Sequence, residues 1–175
     1  MLENTKILCV CRDGQMSALF GPLLGQDLHQ KGQPATVINA CSKKEYSGAE
    51  VAREIIYCLG SVPESNLAPS DSLIKWIGDF DLREYIKVLC IDADSFADAE
   101  DLFLERDMVS KSDLVVGAAR WCQKDTDPKG RDLGAYVKTA IAMTEVIRGL
   151  EGIVGETTKQ TRQTPPKKHN RKISY

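Results

Sequence analysis

Cys11 is the residue of this chain best equipped to act as a nucleophile. Ile7, Leu8, Cys9 and Val10 precede it as a short apolar run, which suits a strand covered on both faces. Asp13-Gly14 breaks the run, and 16–28 reads as a helix. A thiol at the carboxyl end of a strand, under a helix N-terminus, lies in a positive field that favours thiolate and a bound anion. Such a place suits phosphate chemistry. Arg12 is adjacent in sequence, but neighbouring loop side chains often point apart. Cys9, one residue pair earlier, reads as a buried strand thiol. Asp127, in Asp127-Pro128, is a candidate acid that would protonate a leaving alcohol and later deprotonate water. Proline after it keeps Asp127 out of the helical region and fixes a bend. Asp125 is the nearby competitor.

These side chains need a scaffold, and the rest of the chain supplies one. After the first strand and helix, 35–40 (ATVINA) reads as a second strand. The polar loop CSKKEYSG leads into AEVAREIIYCLG, a helix with Val51, Ile55 and Ile56 at helical spacing and Gly60 at its end. The stretch 61–72 is rich in turn formers, with a short helix expected in SLIKWIGDF behind it. YIKVLCI (85–91) reads as a third strand, 95–106 as a helix and SDLVVGA (112–118) as a fourth strand. A polar loop over 120–132 precedes a final helix. Leu133, Tyr136, Val137, Ile141, Thr144, Ile147 and Leu150 would form roughly one face of it. Strands alternating with helices predict an α/β fold: a four-stranded parallel sheet with helices on both faces. Ligands bind such sheets outside the carboxyl ends of the strands. Cys11, the 41–48 loop, Asp92 and the 120–132 loop all fall at that edge.

Composition narrows the class further. A chain of 175 residues suits one domain with a real core. No apolar run reaches spanning length, and the opening MLENTK lacks the design of a signal peptide, so no membrane insertion and a cytoplasmic location are expected. The six cysteines sit mostly in apolar contexts, which suggests buried, reduced thiols at Cys41, Cys58, Cys90 and Cys122. There is no CxxC pair and the only histidines are His29 and His169, so neither a structural metal nor a cofactor is expected. The net charge of −2 hides an asymmetry. From Thr157 onward there are six basic residues and no acidic side chain, which leaves 17 basic against 25 acidic residues upstream. The expected organisation is therefore a domain over 1–154 and a basic, disordered tail over 155–175. Such a tail is suited to weak contact with an acidic partner or nucleic acid.

The order of these features resembles the low-molecular-weight protein tyrosine phosphatases over most of residues 5–151. That family has a strand ending in Val-Cys, a phosphate loop of the form C-x5-R-S, and an Asp-Pro acid near the last helix. Val10-Cys11 and Asp127-Pro128 stand at the matching separation. DFDLREYIKVLCIDADSFADAEDL (79–102) resembles the family's third-strand stretch, and VINACSKK its second strand and following loop. The resemblance implies a phosphotyrosine-phosphatase-I-like fold, with Cys11 as nucleophile and Asp127 as acid. It also implies a phosphate loop of Arg12, Asp13, Gly14, Gln15, Met16 and Ser17, with Tyr46 as a wall beside the substrate. A phosphorylated protein or small phosphomonoester would be the partner, without cofactor or metal.

One departure weighs against catalysis: Ser17 stands where the family has its phosphate-clamping arginine. A guanidinium holds two phosphate oxygens and stabilises the transition-state charge, whereas serine offers one neutral hydrogen bond. Losing such a group removes on the order of several kcal/mol of transition-state binding. Asp13 adds a negative charge that repels a dianion, and Lys129-Gly130 replaces an aromatic pair. The expectation is thus a protein that binds phosphate at the Cys11 loop, with hydrolysis through a cysteinyl-phosphate weakened or lost. Three alternatives stand beside it. One is an active phosphomonoesterase using Cys11 and Asp127. Another is a phosphocysteine relay, since Cys11, Gly14 and Ser17 fit C-x-x-G-x-x-S. The third is an arsenate-reductase-like thiol exchange with Cys90, although Ala97 stands where a second resolving cysteine belongs.

Overall fold

The structure is a computed structural model that describes residues 5–61, 67–108, 115–117 and 128–150. Four strands, β1 (Lys6–Cys11), β2 (Thr36–Cys41), β3 (Lys87–Cys90) and β4 (Val115–Gly117), form one sheet in the order β2-β1-β3-β4. Every pairing is parallel. Four helices accompany them: α1 (Gln15–Gln30), α2 (Arg53–Gly60), α3 (Ala93–Glu105) and α4 (Leu133–Gly149). The predicted α/β fold is the one observed. β1 runs through the middle with Ile7 to Val10 fully buried, which explains its unbroken apolar run.

Alternation along β1 divides the core into two layers. Ile7, Cys9 and Cys11 face a cluster built with α1, α2 and α4, while Leu8 and Val10 face one built with α3 and the 77–85 segment. Helix α1 lies close against β2 because small residues line the contact. A Cβ on Gly21 would collide with the Asn39 side chain, and one on Gly25 would reach Val37 at 3.6 Å. Its Leu19, Phe20, Leu24 and Leu28 fill the first layer. Burying one such side chain is worth about 1.5–3 kcal/mol.

Several local expectations need correction. The short helix expected in SLIKWIGDF is only a 3-10 turn over Ile77–Asp79; Gly78 and the extended backbone of Trp76 and Phe80 stop it from growing. Helix α2 begins at Arg53, and Ile56 is exposed while Cys58 and Leu59 are buried in its place. Helix α4 buries Tyr136, Thr139, Met143 and Ile147, whereas Leu133, Val137 and Ile141 face outward. Two apolar stripes with the same period lie about 100° apart on α4, and periodicity alone merges them. Only the stripe that meets α1 and α2 is buried. Cys9, Cys11, Cys41, Cys58 and Cys90 are free, buried thiols. Cys122, Asp125, Asp127, the 155–175 tail and the domain boundary before it lie outside the described residues. Among the described residues, no helix is long and apolar enough to cross a membrane.

Candidate active site

The site lies at the carboxyl edge of the sheet, where β1 ends at Cys11 and passes through residues 12–14 into α1. Parallel register sets Cys11 beside Cys41 on β2, and the loop is sewn to its neighbours by main-chain bonds. Ser42 N–H donates to the Cys11 carbonyl at 3.0 Å, and Lys43 N–H to the Arg12 carbonyl at 3.3 Å. From the α3 side, the Asp92 carboxylate accepts Arg12 N–H at 2.9 Å through one oxygen and Ser95 N–H at 2.7 Å through the other. Asp92 thus caps α3 and anchors the Cys11 loop at once. Gly14 makes the turn, with φ at +82°. A side chain there would meet Ile74 and lie 3.3 Å from Cys41 Cβ, so the loop approaches its support too closely for anything but glycine.

Each predicted loop residue has a distinct place. Arg12 points out of the loop, where its guanidinium pairs with Asp94 at 3.4 Å on an exposed surface. Gln15 turns toward the 50–52 segment, donating to the Glu50 carbonyl at 2.9 Å and accepting Ala52 N–H at 2.8 Å. Met16 enters the core. Ser17 is fully buried, and its hydroxyl lies 3.0 Å from both the Gly14 and Ala40 carbonyls. The Ser17 hydroxyl therefore ties the start of α1 to β2. Asp13 is different. Its Oδ1 accepts Gln15 N–H at 3.0 Å and lies 3.7 Å from the Cys11 sulfur.

Cys11 as a residue is 2% exposed. Burial pushes its pKa up strongly, and the neighbouring Asp13 carboxylate raises it further. Against this, Ser17 N–H donates to the sulfur at 3.3 Å and the Ser17 hydroxyl lies 3.6 Å away; both favour the thiolate, but less. The expected positive field at the helix N-terminus is thus overruled by burial and by the loop's own carboxylate, and Cys11 is held as a neutral thiol. Cys41 is also raised, to about 11, chiefly by burial. Cys90 is raised to about 12 by burial. It faces the opposite layer from Cys11, so the thiol exchange considered between those two is not built into the fold.

Tyr46 ends a 3-10 turn over Lys44–Tyr46 and packs partly against the first core layer. Lys129, directly after Pro128, sits 5.7 Å over the Tyr46 ring and 3.4 Å from the second Asp13 oxygen. The structure therefore gathers Cys11, Asp13, Ser17, Tyr46 and Lys129 at one mouth. Lys129 was not singled out as a site residue from the sequence. The signal available was its place immediately after the Asp-Pro pair. Among the described residues, no group of three or more His, Cys, Asp or Glu side chains is placed to hold a metal ion.

No family model matches the chain, and no curated protein matches it by sequence. Solved structures do match. The low-molecular-weight protein tyrosine phosphatase of T. tengcongensis superposes with a TM-score of 0.62 at 18% identity, covering 82% of this chain and 95% of its own. A low-molecular-weight protein tyrosine phosphatase from Bacillus subtilis gives 0.64 at 15% identity, covering 82% and 93%. The arginine phosphatase YwlE, also from Bacillus subtilis, gives 0.61 at 14% identity, covering 82% and 91%. The chain therefore has the fold of the low-molecular-weight protein tyrosine phosphatases.

Proposed function

We propose that this protein is a degenerate member of the low-molecular-weight protein tyrosine phosphatase family. It binds a phosphorylated ligand at the Cys11 loop and hydrolyses it weakly or not at all. The observation that carries the reading is the geometry of the loop's interior: a buried thiol 3.7 Å from the Asp13 carboxylate, with Arg12 turned away to Asp94. A cysteinyl-phosphate forms when thiolate attacks phosphorus and the ester oxygen leaves with a proton. Here the thiolate is disfavoured, the Arg12 guanidinium is paired with Asp94, and the Ser17 hydroxyl lies against the Gly14 and Ala40 carbonyls. Each deficit acts on the same step, so together they suppress turnover far more than binding. In this reading Asp127 has the role of the acid and Tyr46 that of the substrate wall. The ligand in this reading is a phosphorylated protein or a small phosphomonoester.

Ser17 N–H, at 3.3 Å from the sulfur, supports a second reading in which a minor thiolate population sustains slow hydrolysis with Cys11 and Asp127. Two assays on the whole chain separate the readings. Calorimetric titration with a non-hydrolysable aryl phosphonate measures binding, and p-nitrophenyl phosphate measures turnover. Binding without Cys11-dependent turnover supports the first reading. Turnover that Cys11→Ser abolishes supports the second, and absence of both activities removes the proposed site.

A further inference from the structure

We propose that Asp13 and Lys129 form an exchangeable ion pair over the Cys11 loop: an incoming phosphoryl group displaces Asp13 from the loop and takes Lys129 as its cation. The inference rests on the phosphate-binding reading above and names how that same site is regulated and what replaces the arginine. Asp13 is placed as an internal anion. One of its oxygens accepts Gln15 N–H at the start of α1 and lies 3.7 Å from the Cys11 sulfur, and the other meets Lys129 at 3.4 Å. Only 19% of its side chain is exposed, against 65% for Lys129. The carboxylate thus sits in the mouth while the ammonium covers it from the solvent side.

Three features make the pair exchangeable rather than fixed. Lys129 is a single flexible cation with no bidentate geometry to lose. Its Asp13 contact is long and largely exposed, and such pairs are weak in water. Its position over Tyr46, at 5.7 Å, places the charge beside the surface on which a ligand would rest. A phosphate entering the loop meets the Asp13 charge at close range, so both cannot occupy the mouth together. It can replace Asp13 at Gln15 N–H and Lys129 because it offers the same kind of acceptor with more charge. The ligand thereby gains a cation that the sequence pattern of the loop lacks.

The test is titration of the full chain with inorganic phosphate at low ionic strength, read by calorimetry. Wild type is compared with Asp13→Asn, Lys129→Met, the double variant, and Lys31→Met as a charge control remote from the site. Asn keeps an oxygen for Gln15 N–H, so the loop is retained, and thermal melting verifies it. Asp13→Asn is expected to bind on the order of tenfold tighter, because the carboxylate no longer competes with the phosphate for Lys129. Lys129→Met is expected to bind on the order of tenfold weaker, and the double variant to lose the gain, while Lys31→Met matches wild type. Asp13→Asn that binds no tighter, or a gain that survives Lys129→Met, overturns the exchange. Should Asp13→Asn not fold, unchanged binding by Lys129→Met overturns it alone. Binding by Asp13→Asn but not by wild type upholds the exchange and refutes ligand binding by the native loop. Binding by neither overturns both.

Discussion

Gly14→Ala is expected to destabilise the protein by about 2–5 kcal/mol, and the origin of that figure can be dissected. A residue with a Cβ held at φ +82° loses about 1–2 kcal/mol to left-handed backbone strain. The new methyl would also collide with Ile74 and crowd Cys41 Cβ at 3.3 Å. Ile74 has little room to retreat: it is 4% exposed, and its main chain is held by Ala49 and Gly48 at 2.8 Å each. Overpacking of this kind costs about 1–3 kcal/mol. Equilibrium urea unfolding of wild type, Gly14→Ala, Ile74→Ala and the double variant separates the two contributions. In the Ile74→Ala background the backbone strain and the milder 3.3 Å contact with Cys41 remain, so the glycine change should cost about 1–2 kcal/mol and the coupling should be about 1–3 kcal/mol. A cost for Gly14→Ala that is the same in both backgrounds would refute the packed loop. The glycine would then be a matter of backbone freedom alone.

Other consequences follow from the same geometry. Cys9, Cys11, Cys41 and Cys90 all have pKa values raised by burial. Because the unfolded chain releases these protons first, stability is unaffected below about pH 8 and falls as pH rises above about 8.5. Each thiol contributes up to about 1.4 kcal/mol per pH unit; urea midpoints between pH 8 and 10 should fall steeply, and a flat profile would contradict the buried thiols. Cys11 should resist iodoacetamide at neutral pH in the native protein, and Asp13→Asn should alkylate faster by removing a charge that raises its pKa. Peptide mapping reads both, and equal rates would contradict the assigned influence of Asp13. Asp92→Ala removes the α3 cap and the acceptor for Arg12 N–H, and should cost about 1–3 kcal/mol in thermal or urea unfolding. A loss below 0.5 kcal/mol would show that the two bonds are not made.

The fold was legible because its signals were local and strong. Four apolar runs bounded by turn residues marked the strands, and the break at Asp13-Gly14 marked the loop. What escaped depended on which side of an element meets the rest of the molecule. Helix α4 carries two apolar stripes, and only contact with α1 and α2 selects Tyr136 and Met143 over Val137 and Ile141. The site divided in the same way. Cys11, Asp13 and the serine at position 17 could be found by counting, but the charge state of Cys11 could not. A helix N-terminus argues for thiolate; the burial of Cys11 and the carboxylate beside it argue the other way and dominate. The pairing of Lys129 with Asp13 joins residues 116 apart in sequence, a separation that no local pattern reports.

A single-turnover experiment is the sharpest test of a Cys11 loop that binds a phosphoryl group and hydrolyses it weakly or not at all. Excess enzyme is mixed with p-nitrophenyl phosphate near neutral pH, and p-nitrophenol release is followed in wild type and Cys11→Ser. No rapid burst of p-nitrophenol above the Cys11→Ser baseline and no trapped cysteinyl-phosphate are expected. A rapid burst approaching one p-nitrophenol per enzyme, absent in Cys11→Ser, would contradict that reading.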